Sequence, residues 1–172
     1  RAIELARRGI MTTRPNPAVG CVISKNDTII GEGWHQQAGE PHAEIHALKQ
    51  AGAEAQGATA YVTLEPCSHM GRTPPCADAL VDAGVARVVV AMHDPNPRVS
   101  GNGIKRLHEA DIDVLVGVLE KSAEQLNPGF LSRMRHQRPF VTVKMASSLD
   151  GKTALSDGRS QWITGPHARS DV

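Results

Sequence analysis

His42, Glu44, Cys67 and Cys76 are the residues whose types and spacing could do chemistry together. One imidazole and two thiolates make three borderline-to-soft ligands, the donor set of a catalytic zinc site, which keeps three protein ligands and one open position. A metal held in this way lowers the pKa of its water to about 7. Glu44, two residues after His42, is the carboxylate beside the set that is available to move a proton.

These four residues need particular elements to bring them together. Val19 to Ser24 and Thr28 to Trp34 read as two strands of a hairpin around Lys25-Asn26-Asp27. Pro41 suits the first position of a helix that carries His42 to Gln50. On that helix His42 and Glu44 lie roughly 200° apart, so they converge only on a point off the first turn. Ala58 to Leu64 is β-rich and delivers Glu65-Pro66-Cys67 at its end, where α/β sheets usually bind ligands. Ala77 to Ala83 is helical by pattern and closes at Gly84; if Cys76 opens that helix, the N-terminus favours its thiolate. Arg87 to Ala91 reads as a buried parallel strand, Gly103 to Ala110 as a helix and Ile112 to Val116 as a further strand. The alternation predicts an α/β layered domain begun by an antiparallel hairpin.

Composition narrows the function classes. The 172 residues are 40% hydrophobic and 22% charged, enough apolar content for a packed core and too little charge for a disordered polyelectrolyte. Net charge is +1, which offers no bulk attraction to nucleic acid or anionic membrane. Two Trp, two Phe and one Tyr are too few for a single-strand stacking platform. No apolar run approaches the ~18 residues of a spanning helix. Three cysteines, an odd number, argue against a disulfide scaffold and for a reducing, cytoplasmic setting. Cys21 sits in an apolar run and reads as core.

Charge shifts along the chain: residues 1–128 carry a net −3 and residues 129–172 a net +4. With Asn127-Pro128-Gly129 as the junction, the expected organisation is a domain over 1–128 and the first part of a second over 129–172. A new strand is expected over Phe140 to Lys144. The chain opens at Arg1 and stops at Val172 inside a patterned stretch, as a piece of a longer protein would.

His-x-Glu, then Pro-Cys after a strand, then a second Cys is the zinc deaminase pattern, with one departure: eight residues rather than two separate the cysteines. Asn16-Pro17, His42-Ala43-Glu44, the stretch Thr63 to Cys76 with its Gly71-Arg72-Thr73-Pro74-Pro75-Cys76 loop, and Asp94-Pro95-Asn96-Pro97 together resemble the bacterial bifunctional riboflavin-biosynthesis deaminase/reductase family, within the cytidine-deaminase-like superfamily. Asn127 to Phe130, Lys144 to Gly151 and Ser160 to Thr164 continue the resemblance. It implies a three-layer fold with a mixed central sheet flanked by helices, followed by the start of a dihydrofolate-reductase-like α/β domain. It also implies zinc on His42, Cys67 and Cys76, with Glu44 as proton shuttle. Asn16, His35, His69, Asp94 and Asn96 would contact a phosphoribosylaminopyrimidine, and Arg72 its phosphate. In the second domain Lys144, Ala146 and Trp162 would lie near NADPH and Ser160 near the ribose. The residues after Pro139 amount to about one βαβ unit, too little to build a nicotinamide pocket alone. Association into a dimer or tetramer is implied in the same way.

Plainer readings stand beside these. His46 follows His42 by one turn, but Ala43 stands where a zincin motif needs Glu, so His46 reads as core or as a support behind the metal ligands. Arg133, Arg135, His136 and Arg138 read as a solvated face, and His93 and His108 as structural. Asp94 and Asn96 stand in a double-Pro turn that favours them for backbone reasons alone. Two alternatives stay open: a zinc deaminase for another nucleobase or nucleoside, and a structural zinc domain, which would need a fourth protein ligand.

Overall fold

A computed structural model describes the chain apart from residues 72, 73, 98, 161 and 172. It forms two compact units, Arg1–Phe140 and Val141–Val172.

In the first unit, β1 (Gly20–Lys25) and β2 (Thr28–Trp34) form the expected hairpin, with Asn26 and Asp27 at positive φ in its turn. β1 pairs antiparallel with β3 (Thr59–Val62) on its other side. β3 then pairs parallel with β4 (Arg87–Val90), and β4 with β5 (Asp113–Val116). The sheet order is β2-β1-β3-β4-β5, a mixed sheet as the family resemblance implies. β4 is buried on both faces, which explains its unbroken valine run.

Helices cover both faces. Cys21 and Gly33 are cross-strand partners, as are Gly20 and Trp34, so the two pairs point to opposite faces. A Cβ on Gly20 would meet Ala2 O in α1 (Ala2–Arg7), and one on Gly33 would meet Ala43 O in α2 (Ala43–Ala51). α1 and α2 therefore lie on opposite sides of the hairpin. The α2 side also takes α3 (Cys76–Asp82) and α4 (Asn102–His108), around a core that includes Ile23, Val62, Leu80, Val88 and Leu107.

α2 lies unusually close to β2. Ala43, Ala47 and Ala51 recur at four-residue spacing, so the helix presents a stripe of methyl groups. Opposite them are Gly31 and Gly33, where an added Cβ would come within 2.2 Å of Ala47 O and Ala43 O respectively. Gly33→Ala forces backbone to move and is expected to cost about 1–3 kcal/mol, as overpacking does. Each kcal/mol reads as about 2–4 °C of Tm in a chain of this size. Thermal unfolding checks this; an unchanged Tm would refute the close approach.

Several expectations need correction. α2 begins at Ala43, with His42 as its N-cap, so Pro41 precedes the helix rather than opening it. The junction at Asn127-Pro128 starts a helix, α6 (Pro128–His136), with Pro at its first position. α6 belongs to the first unit: Asn127 Oδ1 accepts from Ala18 N at 2.7 Å and Asn127 Nδ2 donates to Ala18 O at 2.8 Å. Its Leu131 packs with Leu64, Met92 and Ala123, the last from α5 (Glu120–Glu124). The strand expected over Phe140 to Lys144 is absent, because no neighbour offers it a ladder among the described residues. In the second unit, the helix is α7 (Pro166–Ser170).

Candidate active site

Three segments place the atoms that could ligate a metal. His42 is the N-cap of α2 with extended φ and ψ (−75°, 170°) and makes no side-chain cap, which leaves its imidazole to project past the helix end. Glu44, in the first turn, then shares that end with His42, as convergence requires. Cys67 follows β3, and Cys76 is the first residue of α3. Cys67 also serves the helix: its Sγ accepts from Cys76 N at 3.3 Å and its carbonyl from Ala77 N at 3.0 Å. Two of the amides a helix start leaves unpaired are thereby satisfied.

The donor atoms of His42, Cys67 and Cys76 lie within 4.8 Å of one another. His42 Nδ1 is 3.6 Å from Cys67 Sγ and 3.3 Å from Cys76 Sγ. Tetrahedral zinc with ordinary Zn–N and Zn–S bonds sets such N···S separations at about 3.5 Å. One nitrogen and two sulfurs at these distances fit zinc. The two thiols act as a coupled pair. The hydrogen bond from Cys76, then that from His42, hold the Cys67 thiol well below its usual range. The same Cys67 contact and burial push Cys76 up, and the Cys67 contact raises His42. Thiols and an imidazole at this spacing would give up their protons on binding a metal ion.

Glu44 is 3% exposed, and its Oε2 has no hydrogen-bond partner. Burial, then the charge on Cys67, push its carboxyl up to about 7. An unpaired buried carboxyl oxygen is costly and is a mark of a working site.

His42 and Glu44 face a cavity of about 620 Å³ whose wall also includes Cys67. Asn16, His35 and His69 line it, as do Asp94 and Asn96 beyond the end of β4. His35 Nδ1 lies 3.2 Å from Pro41 O and must donate to it, since a carbonyl only accepts. Burial lowers the His35 pKa, and with Nδ1 donating to Pro41 O its Nε2 is left to accept from Asn16 Nδ2 at 3.3 Å. The tautomer and the Asn16 amide are thus fixed by one chain of hydrogen bonds. Burial raises Asp94 to about 6, and Asn96 N donates to its Oδ1 at 2.8 Å. Arg72, expected at the phosphate, lies outside the described residues. In the second unit Ser160 lines a separate cavity with Ser148, Asp150 and Lys152, while Lys144, Ala146 and Trp162 are exposed and do not line it. Trp162 stacks under Arg169, 4.1 Å from guanidinium to ring.

Sequence reasoning missed three wall residues from α6, Phe130, Arg133 and Met134. Arg133, read as part of a solvated face, also donates to Pro15 O at 3.0 Å. The available signal was Asn127-Pro128, which marks a helix start as readily as a linker.

Residues 1–92 match the family model described as the cytidine and deoxycytidylate deaminase zinc-binding region. The chain belongs to that zinc-binding deaminase family. Residues 139–172 match a second model, the RibD C-terminal domain. The riboflavin biosynthesis protein RibD of Escherichia coli (strain K12) is 64% identical over 172 residues, all of this chain and 47% of that protein. The diaminohydroxyphosphoribosylamino-pyrimidine deaminase of Buchnera aphidicola subsp. Acyrthosiphon pisum is 59% identical over 135 residues, 78% of this chain and 92% of that protein. The solved structure of Acinetobacter baumannii RibD superposes with a TM-score of 0.93 at 61% identity, covering 99% of this chain and 48% of that one. The chain thus spans about half the length of the RibD relatives it matches. Among the described residues no helix is long and apolar enough to cross a membrane.

Proposed function

We propose that this chain carries out the hydrolytic deamination step of riboflavin biosynthesis. Its substrate would be 2,5-diamino-6-(5-phosphoribosylamino)pyrimidin-4(3H)-one, and its products ammonia and 5-amino-6-(5-phosphoribosylamino)uracil. The observation that carries this is that His42, Cys67, Asp94 and Glu44, whose Oε2 is without a partner, line one cavity. The 59% identity to a protein named for this deamination supports the choice of substrate.

His42, Cys67 and Cys76 would hold zinc, which supplies acidified water when bound. Glu44 would take a proton from the attacking water at Oε2 and pass it to the ring nitrogen while the water oxygen bonds to the amino-bearing carbon. It would then carry that oxygen's second proton to the amine as the C–N bond breaks, which releases ammonia and leaves Glu44 a carboxylate. A carboxyl raised to about 7 is matched to both directions of transfer near neutral pH. Asn16, His35, Asp94 and Asn96, which line the same cavity, would orient the pyrimidine. Arg72 would meet the phosphate as a bidentate fork.

The domain division, with the deaminase over 1–128 and the linker and reductase start over 129–172, is part of the same proposal, and α6 argues for moving the junction toward residue 140. In the longer protein Lys144, Ala146, Trp162 and Ser160 would serve NADPH-dependent ribose reduction, and subunits would associate as dimers or tetramers.

The test is metal content together with ammonia release from the diaminopyrimidinone phosphate and from cytidine. One zinc per chain and ammonia from the former alone is the expected result. Ammonia from cytidine alone would move the reading to another zinc deaminase.

A further inference from the structure

We propose that Glu65 is a positioning residue whose buried carboxylate clamps the segment 94–104, so that Asp94 and Asn96 are held against the cavity wall. The clamp itself stands on geometry, and what the clamped segment meets rests on the deaminase reading above.

Glu65 leaves the end of β3 and is 3% exposed. Its own amide donates to Met92 O at 3.0 Å, which registers it beside the exit of β4. Its side chain then reaches across to the segment beyond. Oε2 accepts from Asp94 N at 3.2 Å and Gly101 N at 3.0 Å. Oε1 accepts from Gly103 N at 3.0 Å and Ile104 N at 3.3 Å. Four backbone amides spread over eleven residues thus share one carboxylate, and His93 Nδ1 lies 3.5 Å from Oε2. The approach is close enough to exclude a side chain: a Cβ on Gly103 would sit 1.9 Å from Pro66 O.

The bonds fix both ends of the segment. Asp94 N is held at one end, and Gly101, Gly103 and Ile104 N at the other. Between them Asn96 O accepts from Val99 N and Ser100 N, and Val99 is buried. Asp94 and Asn96 therefore reach the cavity from a loop whose ends are both tied to the residue two positions before Cys67. A proline-rich turn alone would set local shape but not this distance.

Glu65→Gln tests the clamp with little change in volume. Whichever way the carboxamide turns, two of the four amides then face an N–H₂ donor. Amide hydrogen exchange at Asp94, Gly101, Gly103 and Ile104 is expected to accelerate about 10-fold or more, given the strength of hydrogen bonds to a charged acceptor. Exchange at Val88 to Val90 should stay unchanged, as should one zinc per chain. With the diaminopyrimidinone phosphate, KM is expected to rise about 10-fold or more while kcat falls less. Unchanged loop exchange and unchanged KM would overturn the proposal, and so would a parallel loss of zinc and kcat, which would place Glu65 in the metal site. If the variant does not fold, the wild-type protein decides: the four amides should be protected to the level of β4, and rapid exchange there overturns the clamp. Absence of wild-type turnover would refute the deaminase reading and leave the exchange measurement to judge the clamp by itself.

Discussion

Replacing Cys67 with alanine is expected to abolish zinc retention and ammonia release together. The sulfur has two tasks. It is one of three atoms within 4.8 Å that fit a tetrahedral metal, and it accepts the first amide of α3 at 3.3 Å. Removing it leaves a nitrogen and one sulfur, too few for a site that must also keep an open position. It also leaves Cys76 N unpaired at a buried helix start. Atomic emission on the purified variant, with ammonia measured in parallel, gives the answer. A variant with stoichiometric zinc and full turnover would remove Cys67 from the ligand set. Apolar packing around α3 is not at issue, since Ala77 and Leu80 are buried independently of the sulfur.

Glu44→Gln separates binding from chemistry. The side chains are nearly isosteric, and Glu44 is not one of the three clustered donors. One zinc per chain should therefore remain, while kcat falls by about 10²-fold or more for a lost acid/base group. The carboxyl's environment supports the size of the effect: Oε2 is buried without a partner, and burial raises the group to about 7. Ammonia release under saturating substrate, beside metal analysis, makes the measurement. Equal loss of zinc would instead make Glu44 a ligand or a structural support.

Much of this arrangement is legible in the sequence, and the exceptions have physical reasons. The hairpin is marked by Lys25-Asn26-Asp27 between two β-rich runs, and β4 by an apolar run too short for a helix. The metal triad is marked by residue type and by order: His-x-Glu, then Pro-Cys after a strand, then a second Cys. The way His42 and Glu44 converge is not: it depends on His42 taking extended backbone angles as a cap, a detail no periodicity reports. Phe140 to Lys144 has the alternation of a strand, but alternation describes faces and says nothing of neighbours. Glu65 is hidden for a different reason. Its partners are backbone amides, which every residue has, so no pattern of side chains 94–104 announces a carboxylate among them. Arg133 reads as solvated surface because it stands in the basic stretch with Arg135, His136 and Arg138, and its place beside the cavity follows from the Asn127 staple to Ala18.

The contact between α2 and β2 has a consequence for how steadily the site is held. It is made by Gly31 and Gly33 against Ala43, Ala47 and Ala51, residues with no side-chain torsion to speak of. Most helix–sheet contacts are made by long side chains, which gain rotamer freedom when the layers part, up to about 1.5–2 kcal/mol for the most flexible of them. Here separation would release almost none, because main chain rests on main chain. Small openings of this seam thus lack an entropic reward, and heating has little disorder to liberate at the end of the helix where His42 and Glu44 stand. His42 and Glu44 are placed by the least adjustable atoms the chain possesses, the condition under which the proposed proton shuttle would be aimed before its substrate arrives.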